Sequence, residues 1–146
     1  MLIWVIVAVS CKESKEATEK TYLTNAIENI EDNSQYDWII ILPGLGCHGC
    51  IQEGELFMKK NISNRRILFV LTNIESLKIL QQKTGIKISN HPNVFIDRKN
   101  QFKLATDNAI YPCVIRMKNG EILQYAFQSP QTTAFHDIEQ HIKIEN

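Results

Sequence analysis

Two cysteines separated by two residues are the part of this sequence best suited to chemistry. Cys47 and Cys50 enclose His48 and Gly49, and they follow an apolar run at residues 38–42. This spacing lets the two sulfur atoms meet in one small loop, where a dithiol can exchange with a disulfide. Because the unpaired N–H groups at a helix N-terminus favour a thiolate, a helix starting here would make Cys47 the nucleophile and Cys50 the resolving cysteine.

The residues around this pair predict the elements that position it. Residues 38–42 and 67–71 are short, β-branched apolar runs, which are typical of strands buried on both faces. Residues 48–60 carry apolar side chains at helical spacing. A strand, a crossover helix and a second strand form a βαβ unit, which is nearly always right-handed with parallel strands. A CxxC placed at the start of the crossover helix is a stronger redox signal than the spacing alone.

The remaining patterns complete one α/β domain. Asn119-Gly120 suits a two-residue turn with positive φ, so the runs on either side of it predict an antiparallel hairpin. A capping-box pattern at residues 72–75 predicts the start of a helix that ends at Gly85, and Ser129-Pro130 predicts the start of the last one. The other elements are expected at 18–32 (helix), 94–96 (strand), and 112–118 and 121–127 (the hairpin strands). We therefore expect a central mixed sheet flanked by helices, with a C-terminal β-hairpin and helix.

Length and composition limit the class of protein. The chain has 146 residues, of which 44% are hydrophobic and 22% charged, as in globular proteins of one domain. Sixteen Lys and Arg residues balance sixteen Asp and Glu residues, so the formal net charge is zero. This balance argues against a nucleic-acid-binding protein that depends on bulk positive charge.

The first twenty residues are typical of a targeting segment. Residues 2–9 are apolar, too few for a membrane-spanning helix of about 20 residues, but enough for the apolar part of a secretion signal. Ala8-Val9-Ser10-Cys11 resembles a bacterial lipobox, in which the cysteine is lipidated, although no Lys or Arg precedes the apolar run. We expect a lipoprotein-type signal segment at 1–10, a charged tether at 11–20 and the folded domain at 21–146. The alternatives are a buried first strand with a core cysteine and, for the charged residues, the exposed first turns of a helix.

A second motif carries a resemblance to a known family. Tyr111-Pro112, followed by residues 113–121 with their Asn-Gly turn, is similar to the strand that faces the CxxC in thioredoxin-like proteins. The resemblance covers about residues 36–145. Glu53, three residues after Cys50, matches the CxxCxxE pattern of the TlpA-like branch, whose members are membrane-tethered thioredoxins outside the cytoplasm, and the extra segment at 94–97 also fits that branch.

This resemblance implies a thioredoxin-like fold and a thiol–disulfide oxidoreductase. Tyr111 and a cis Pro112 would present the substrate, and Glu53 would tune thiol acidity. The Cys47–Cys50 disulfide would be the redox group, and no other cofactor would be needed. The expected partners are protein thiols or disulfides and a membrane or periplasmic redox protein. The protein would be extracytoplasmic and anchored through Cys11 to a bacterial membrane, facing the periplasm or the cell surface.

The sequence also departs from the thioredoxin pattern. Gly46 stands where an aromatic residue usually precedes the first cysteine, and Ile41 stands where thioredoxins bury an acidic group. No clear first strand precedes the opening helix. The inner dipeptide is His48-Gly49 and not a proline-containing pair. We place His48 in the substrate-binding set, where its protonated ring would stabilise the Cys47 thiolate. A solvent-facing imidazole without such a role is the alternative.

Other functions compete with this interpretation. Residues 44–49 satisfy G-x-G-x-x-G, but no acidic residue ends the next predicted strand, and the chain is short for two nucleotide-binding halves. Cys47, Cys50 and His48, with Cys113 across the site, could instead bind zinc or copper(I). A thioredoxin-like module that only binds a partner is a third possibility. For Cys113 itself we favour a core position over a third reactive thiol.

Overall fold

The order of the elements follows from the alternation of apolar strands and amphipathic helices. The computed structural model describes residues 14–145. The helices are α1 (Lys15–Glu28), α2 (His48–Asn61), α3 (Leu77–Thr84) and α4 (Ala134–Glu145). The strands are β1 (Trp38–Pro43), β2 (Ile67–Thr72), β3 (Val94–Asp97), β4 (Cys113–Lys118) and β5 (Glu121–Phe127). Short 3-10 turns lie at Asn33–Gln35, Ile88–Asn90 and Asp107–Ile110.

The five strands form one mixed sheet in the order β3-β2-β1-β4-β5. β1 pairs with β2, and β2 with β3, in parallel. β4 runs antiparallel to β1 and forms the predicted hairpin with β5. Asn119 and Gly120 in its turn have φ values of 53° and 79°, as that dipeptide predicts. The predicted α/β domain with a central mixed sheet is confirmed.

Helices cover both faces of the sheet. One cluster joins α2, α3 and α4 to the sheet, and its buried members include Leu42, Phe57, Phe69, Leu80 and Phe135. The other joins α1 to the opposite strand positions, and its buried members include Leu23, Ile27, Ile39, Ile41 and Cys113. Because β1 lies at the centre and alternates between the two clusters, all six of its residues are buried. This is the burial that its uninterrupted apolar run predicts.

A close approach of α2 to β1 fixes the helix that carries the cysteines. A side-chain Cβ at Gly54 would lie 2.5 Å from Cδ2 of Leu42, so a larger residue there would force the buried Leu42 side chain to move. The stacked rings of Phe57 and Phe135, with centroids 5.0 Å apart, join α2 to α4. These contacts hold the N-terminus of α2 at the carboxyl end of β1.

The first helix begins earlier than the sequence suggested. Ser14 caps α1, since its hydroxyl accepts a hydrogen bond from the Ala17 N–H at 3.2 Å. Residues 15–20 of the expected tether are therefore the first turns of a helix, and Glu19 among them is buried. Residues 1–13, with the expected signal segment and Cys11, lie outside the described residues. Within residues 14–145, no helix is long and apolar enough to cross a membrane.

Two predicted helix starts are wrong. Thr72 ends β2, and its hydroxyl donates to the buried Asp97 carboxylate at 2.7 Å instead of capping α3. The cap of α3 is Ser76, whose hydroxyl accepts from Ile79 N–H. The last helix begins at Ala134 and not at Pro130, because residues 129–132 close a turn. In that turn the Thr132 hydroxyl accepts from Ser129 N–H at 2.7 Å, a local hydrogen bond that competes with helix formation.

Candidate active site

The two cysteines of the CxxC form a disulfide at the start of α2. Their Cα atoms are 5.3 Å apart, and Cys47 is the N-cap residue of the helix. Cys47 is partly exposed, whereas Cys50, inside the first turn, is 4% exposed. Cys47 is therefore the more accessible of the two disulfide-bonded residues, and Cys50 is the protected one. The predicted pairing and its position between β1 and α2 are confirmed.

The loop that leads to Cys47 depends on two glycines. A Cβ at Gly44 would lie 2.4 Å from the Asn73 carbonyl oxygen. Gly46 has φ +145°, and a Cβ there would lie 2.4 Å from the carbonyl oxygen of Ile110. No side chain fits at position 46, which explains why this sequence has no aromatic residue before its first cysteine. The backbone of Ile110 occupies that space instead.

Ile110 belongs to the segment of residues 107–112, which lies beside the disulfide and is called the 107–112 segment below. The Cys47 N–H donates to the Ile110 carbonyl at 3.0 Å. Within the segment, the Tyr111 N–H donates to the Asn108 carbonyl at 3.0 Å. Tyr111 is half-buried and Pro112 is buried. Both predicted substrate-binding residues therefore directly follow the residue that binds the backbone of Cys47.

The peptide bond between Tyr111 and Pro112 is trans, because residues 14–145 contain no cis peptide bond. The cis geometry implied by the resemblance to thioredoxin-like proteins is therefore wrong for this structure. Tyr111 has an extended backbone, with φ −109° and ψ 142°, the conformation that a following proline favours. The Pro112 carbonyl accepts a hydrogen bond from the Gln128 N–H at 2.8 Å, which ties the segment to the end of β5.

Glu53 is exposed on the first turns of α2, and its carboxylate accepts a hydrogen bond from the side chain of Gln128. The Gln128 Nε2 lies 2.6 Å from Glu53 Oε2 and also donates to the Thr132 carbonyl at 3.1 Å. The Gln128 Oε1 accepts from the Phe135 N–H at 3.1 Å. Gln128 is 6% exposed, so a single buried amide joins Glu53, the first residues of α4 and, through its backbone, Pro112.

Sequence reasoning missed Gln128. Its only sequence signal is a polar residue placed directly between an apolar-aromatic strand and the Ser129-Pro130 turn. Nothing local connects it to Glu53, which lies 75 positions away in the chain. Long-range packing of α2 against α4 brings the two residues together, so no sequence pattern could have found the contact.

His48 follows Cys47 and is exposed to solvent. Its ring Nε2 lies 3.2 Å from Nε2 of Gln52, one helical turn further along α2. The ring thus lies at the surface beside the disulfide. Two apolar side chains are also exposed next to Cys47: Leu45 is 47% exposed and Ile110 is 43% exposed. Cys47, itself partly exposed, therefore has exposed apolar residues on two sides: Leu45 two positions before it in the chain and Ile110 hydrogen-bonded to its backbone.

Cys113 is a buried free thiol at the start of β4. It is 1% exposed and pairs in register with Ile41 on β1. Burial raises the pKa of its thiol far above the ordinary range, and the charge of Glu19 raises this pKa further. Because a thiol must lose its proton to react, Cys113 is the core residue that the sequence favoured and not a third reactive thiol.

A metal site is not assembled by the described part of the chain. Among residues 14–145, no three or more His, Cys, Asp or Glu side chains are grouped so that they could bind a metal ion. Cys113, which the metal-binding alternative needs, packs in the cluster beneath α1.

Comparisons of this chain with protein-family models, curated proteins and solved structures find no match. A proposal for the function of this protein therefore rests on the geometry of the site.

Proposed function

We propose that this protein is a thiol–disulfide oxidoreductase that exchanges its Cys47–Cys50 disulfide with thiols and disulfides of other proteins. The observation that carries the proposal is the disulfide at the N-terminus of α2, with Cys47 partly exposed and Cys50 buried. A nucleophile must be accessible, whereas a resolving thiol must be protected from outside attack. The helix N-terminus supplies the positive electrostatic environment that favours a thiolate at Cys47.

The exchange proceeds in two steps from the reduced protein. The Cys47 thiolate attacks a substrate disulfide, forms a mixed disulfide and releases one substrate thiolate. The Cys50 thiolate then attacks the Cys47 sulfur, closes the intramolecular disulfide and releases the second substrate thiolate. Two electrons pass from the dithiol to the substrate, and the reverse sequence oxidises a substrate dithiol. Glu53, three residues after Cys50 and therefore on the same side of α2, adjusts the proton transfer from Cys50.

The substrate meets the protein at the surface around Cys47. Tyr111 and Pro112 present a polypeptide to the sulfur atom, and His48 contributes a polar contact on the other side. The exposed side chains of Leu45 and Ile110 support this proposal, because exposed apolar residues suit contact with a partly unfolded or flexible polypeptide.

The family that fits this arrangement best is the TlpA-like branch of the thioredoxin-like proteins. The sheet order, the disulfide between β1 and α2, and the position of Pro112 before β4 support this proposal. The trans Tyr111–Pro112 bond and Ile41, in place of an acid, are departures from the family pattern. We further propose that the protein is lipid-anchored through Cys11 outside the cytoplasm of a bacterium and exchanges electrons with a membrane or periplasmic partner; residues 8–11 support this part.

The test is a redox titration. The protein is equilibrated in buffers with different ratios of reduced to oxidised glutathione, and its thiols are alkylated and counted by mass spectrometry. We expect one reversible two-electron transition confined to Cys47 and Cys50, with Cys113 remaining a free thiol throughout. A low potential would indicate a reductase and a high potential an oxidase. If the pair does not open and close reversibly, the proposed function is wrong.

A further inference from the structure

Glu19 is a buried carboxylate that the proposed exchange mechanism does not use. It lies on α1 and is 3% exposed. Both of its carboxylate oxygens accept hydrogen bonds from the Nδ2 of Asn108, each at 3.1 Å. A buried charge is costly unless hydrogen bonds compensate for its lost hydration. An apolar residue would fill this position at lower cost, so the carboxylate needs a reason beyond packing.

The charge of Glu19 acts on the groups around it. The pKa of Tyr125 is raised to about 12, by burial first and then by the nearby charges of Glu19 and Glu16. The same carboxylate contributes to the raised pKa of Cys113. Glu19 therefore lies close enough to act on Cys113, which packs beneath α1, and its hydrogen-bond partner is Asn108.

Asn108 lies between α1 and the disulfide. Its side chain is hydrogen-bonded to Glu19 on α1, and a short stretch of chain joins it to the backbone that contacts Cys47. It belongs to the 107–112 segment, two residues before Ile110. The Ile110 carbonyl accepts the Cys47 N–H at 3.0 Å, and the Ile110 backbone fills the space beside Gly46. An exposed ion pair between Lys15 and Asp107 joins the same helix to the same segment. The backbone at Cys47 is therefore supported by a segment whose internal anchor is a carboxylate on α1.

We propose that Glu19 is a positioning residue for Cys47: it holds Asn108, so that the Ile110 carbonyl fixes the backbone N–H of Cys47. This inference rests on the proposed function, because it assigns Glu19 a role in keeping Cys47 ready for thiol exchange. When the disulfide is reduced, the Cys47 sulfur can accept hydrogen bonds from the free N–H groups of the first turn of α2. That arrangement requires Cys47 to stay in its N-cap position, and the anchored 107–112 segment keeps it there.

The Glu19–Asn108 pair allows a test in which a double variant keeps the side-chain sizes and the net charge of the original pair. In Asn108→Asp, two carboxylates face each other and the hydrogen bond is lost. In the double variant Glu19→Gln/Asn108→Asp, the donor and acceptor roles are exchanged, and the side-chain sizes and net charge are those of the original pair. Glu19→Met removes the anchor and leaves no buried charge, so this variant is expected to fold even where Asn108→Asp does not. Glu28→Met is the control, since Glu28 is exposed on α1 about 13.5 Å further along the helix.

Two measurements report on Cys47. The first is the hydrogen exchange rate of its backbone amide in the disulfide form. The second is the pH dependence of Cys47 alkylation in the reduced form. We expect the Cys47 amide to exchange about tenfold faster in Asn108→Asp and Glu19→Met, which corresponds to about 1.4 kcal/mol. We also expect the midpoint of alkylation to move to higher pH, because a loosened N-cap stabilises the thiolate less.

The double variant should return both values to within about twofold of the original protein, and Glu28→Met should leave them unchanged. The inference is overturned if a folded Asn108→Asp or Glu19→Met protein keeps the original amide exchange and alkylation profile. It is also overturned if the double variant does not restore them. A failure of the proposed function looks different: the unaltered protein would show no reversible two-electron transition with glutathione, whatever the amide exchange rates.

Discussion

Glu19 and Glu53 pair with side-chain amides next to the same segment, but they do so from opposite faces of the sheet. Glu53 on α2 is exposed and accepts from the buried Gln128, whose backbone holds the Pro112 carbonyl. Glu19 on α1 is buried and accepts from the half-buried Asn108. In one pair the amide is the buried member, and in the other it is the charge.

This difference determines what each pair contributes. A buried charge that loses its partner keeps the full cost of desolvation, whereas an exposed carboxylate that loses its partner is hydrated by water. The Glu19–Asn108 pair is therefore the more costly one to break. The Glu53–Gln128 pair leaves its carboxylate accessible to solvent, as the proton transfer proposed for Glu53 requires.

Replacement of Cys47 should have the largest effect, because Cys47 is the proposed nucleophile. The Glu19–Asn108 and Glu53–Gln128 pairs only support the segment beside it. Cys47→Ser removes the nucleophile, and we expect the exchange of disulfides with a model peptide to fall to the rate of the uncatalysed reaction. Cys50→Ser should instead accumulate mixed disulfides that mass spectrometry detects, since the resolving thiol is missing.

The matched control is Cys113→Ser, which removes a thiol from the same domain. Cys113 is buried and unreactive, so exchange by the folded Cys113→Ser protein should match that of the original protein. Exchange that survives in Cys47→Ser, or that disappears in folded Cys113→Ser, would contradict the assignment of Cys47 as the nucleophile.

The next largest effect is expected when the buried charge loses its partner. Asn108→Ala leaves the Glu19 carboxylate without its hydrogen-bond donor, and we expect the free energy of unfolding to fall by about 3 kcal/mol. Urea denaturation measures this change. Asp107→Ala is the control in the neighbouring position, because it removes only an exposed ion pair with Lys15 and should change stability little. Equal losses of stability in Asn108→Ala and Asp107→Ala would show that the buried Glu19–Asn108 pair is no more costly to break than the exposed Lys15–Asp107 pair.

Loss of the buried amide on the other face should cost less. Gln128→Met keeps the size of the side chain but leaves the Phe135 N–H without its acceptor, and we expect a loss of about 2 kcal/mol in urea denaturation. Glu53→Gln keeps an acceptor for Gln128 and should stay close to the original stability. The comparison requires that the loss of stability be largest in Asn108→Ala, smaller in Gln128→Met and smallest in Glu53→Gln. The reverse order would contradict it.

The smallest expected effect is a change in one titration. The raised pKa of Tyr125 means that the folded protein retains the phenol proton up to about pH 12, whereas the unfolded chain loses it near pH 10. Tyr125 therefore stabilises the fold below pH 10, and this contribution is lost as the pH rises from 10 to 12. Glu19→Gln should lower the Tyr125 pKa, because it removes a negative charge nearby, while Glu53→Gln should not.

Nuclear magnetic resonance of labelled tyrosine can follow this titration at Tyr125 alone. A Tyr125 midpoint that falls equally in Glu19→Gln and Glu53→Gln would show that the two carboxylates do not act on separate faces of the sheet.

Much of the fold could be predicted because its signals are local. The apolar runs that became β1 and β2, the Asn119-Gly120 turn and the helix after Cys47 each depend on a few consecutive residues. The two wrong helix starts failed for a related reason. Thr72 and Ser129 have the side chains of helix caps, but other hydrogen bonds occupy them: the Thr72 hydroxyl donates to Asp97, and the Ser129 hydroxyl accepts from the Gln131 N–H within a turn.

The sequence by itself determined that a pair of cysteines stands between a buried strand and a helix, an arrangement compatible with a redox-active site. Spacing within one loop and the dipole of one helix suffice for that conclusion. Only the tertiary structure decided which groups surround the pair. Gly46 against Ile110, Glu53 with Gln128 and Glu19 with Asn108 are contacts between residues far apart in the chain. Packing on the two faces of the sheet creates them, and no local pattern records which distant side chains will meet.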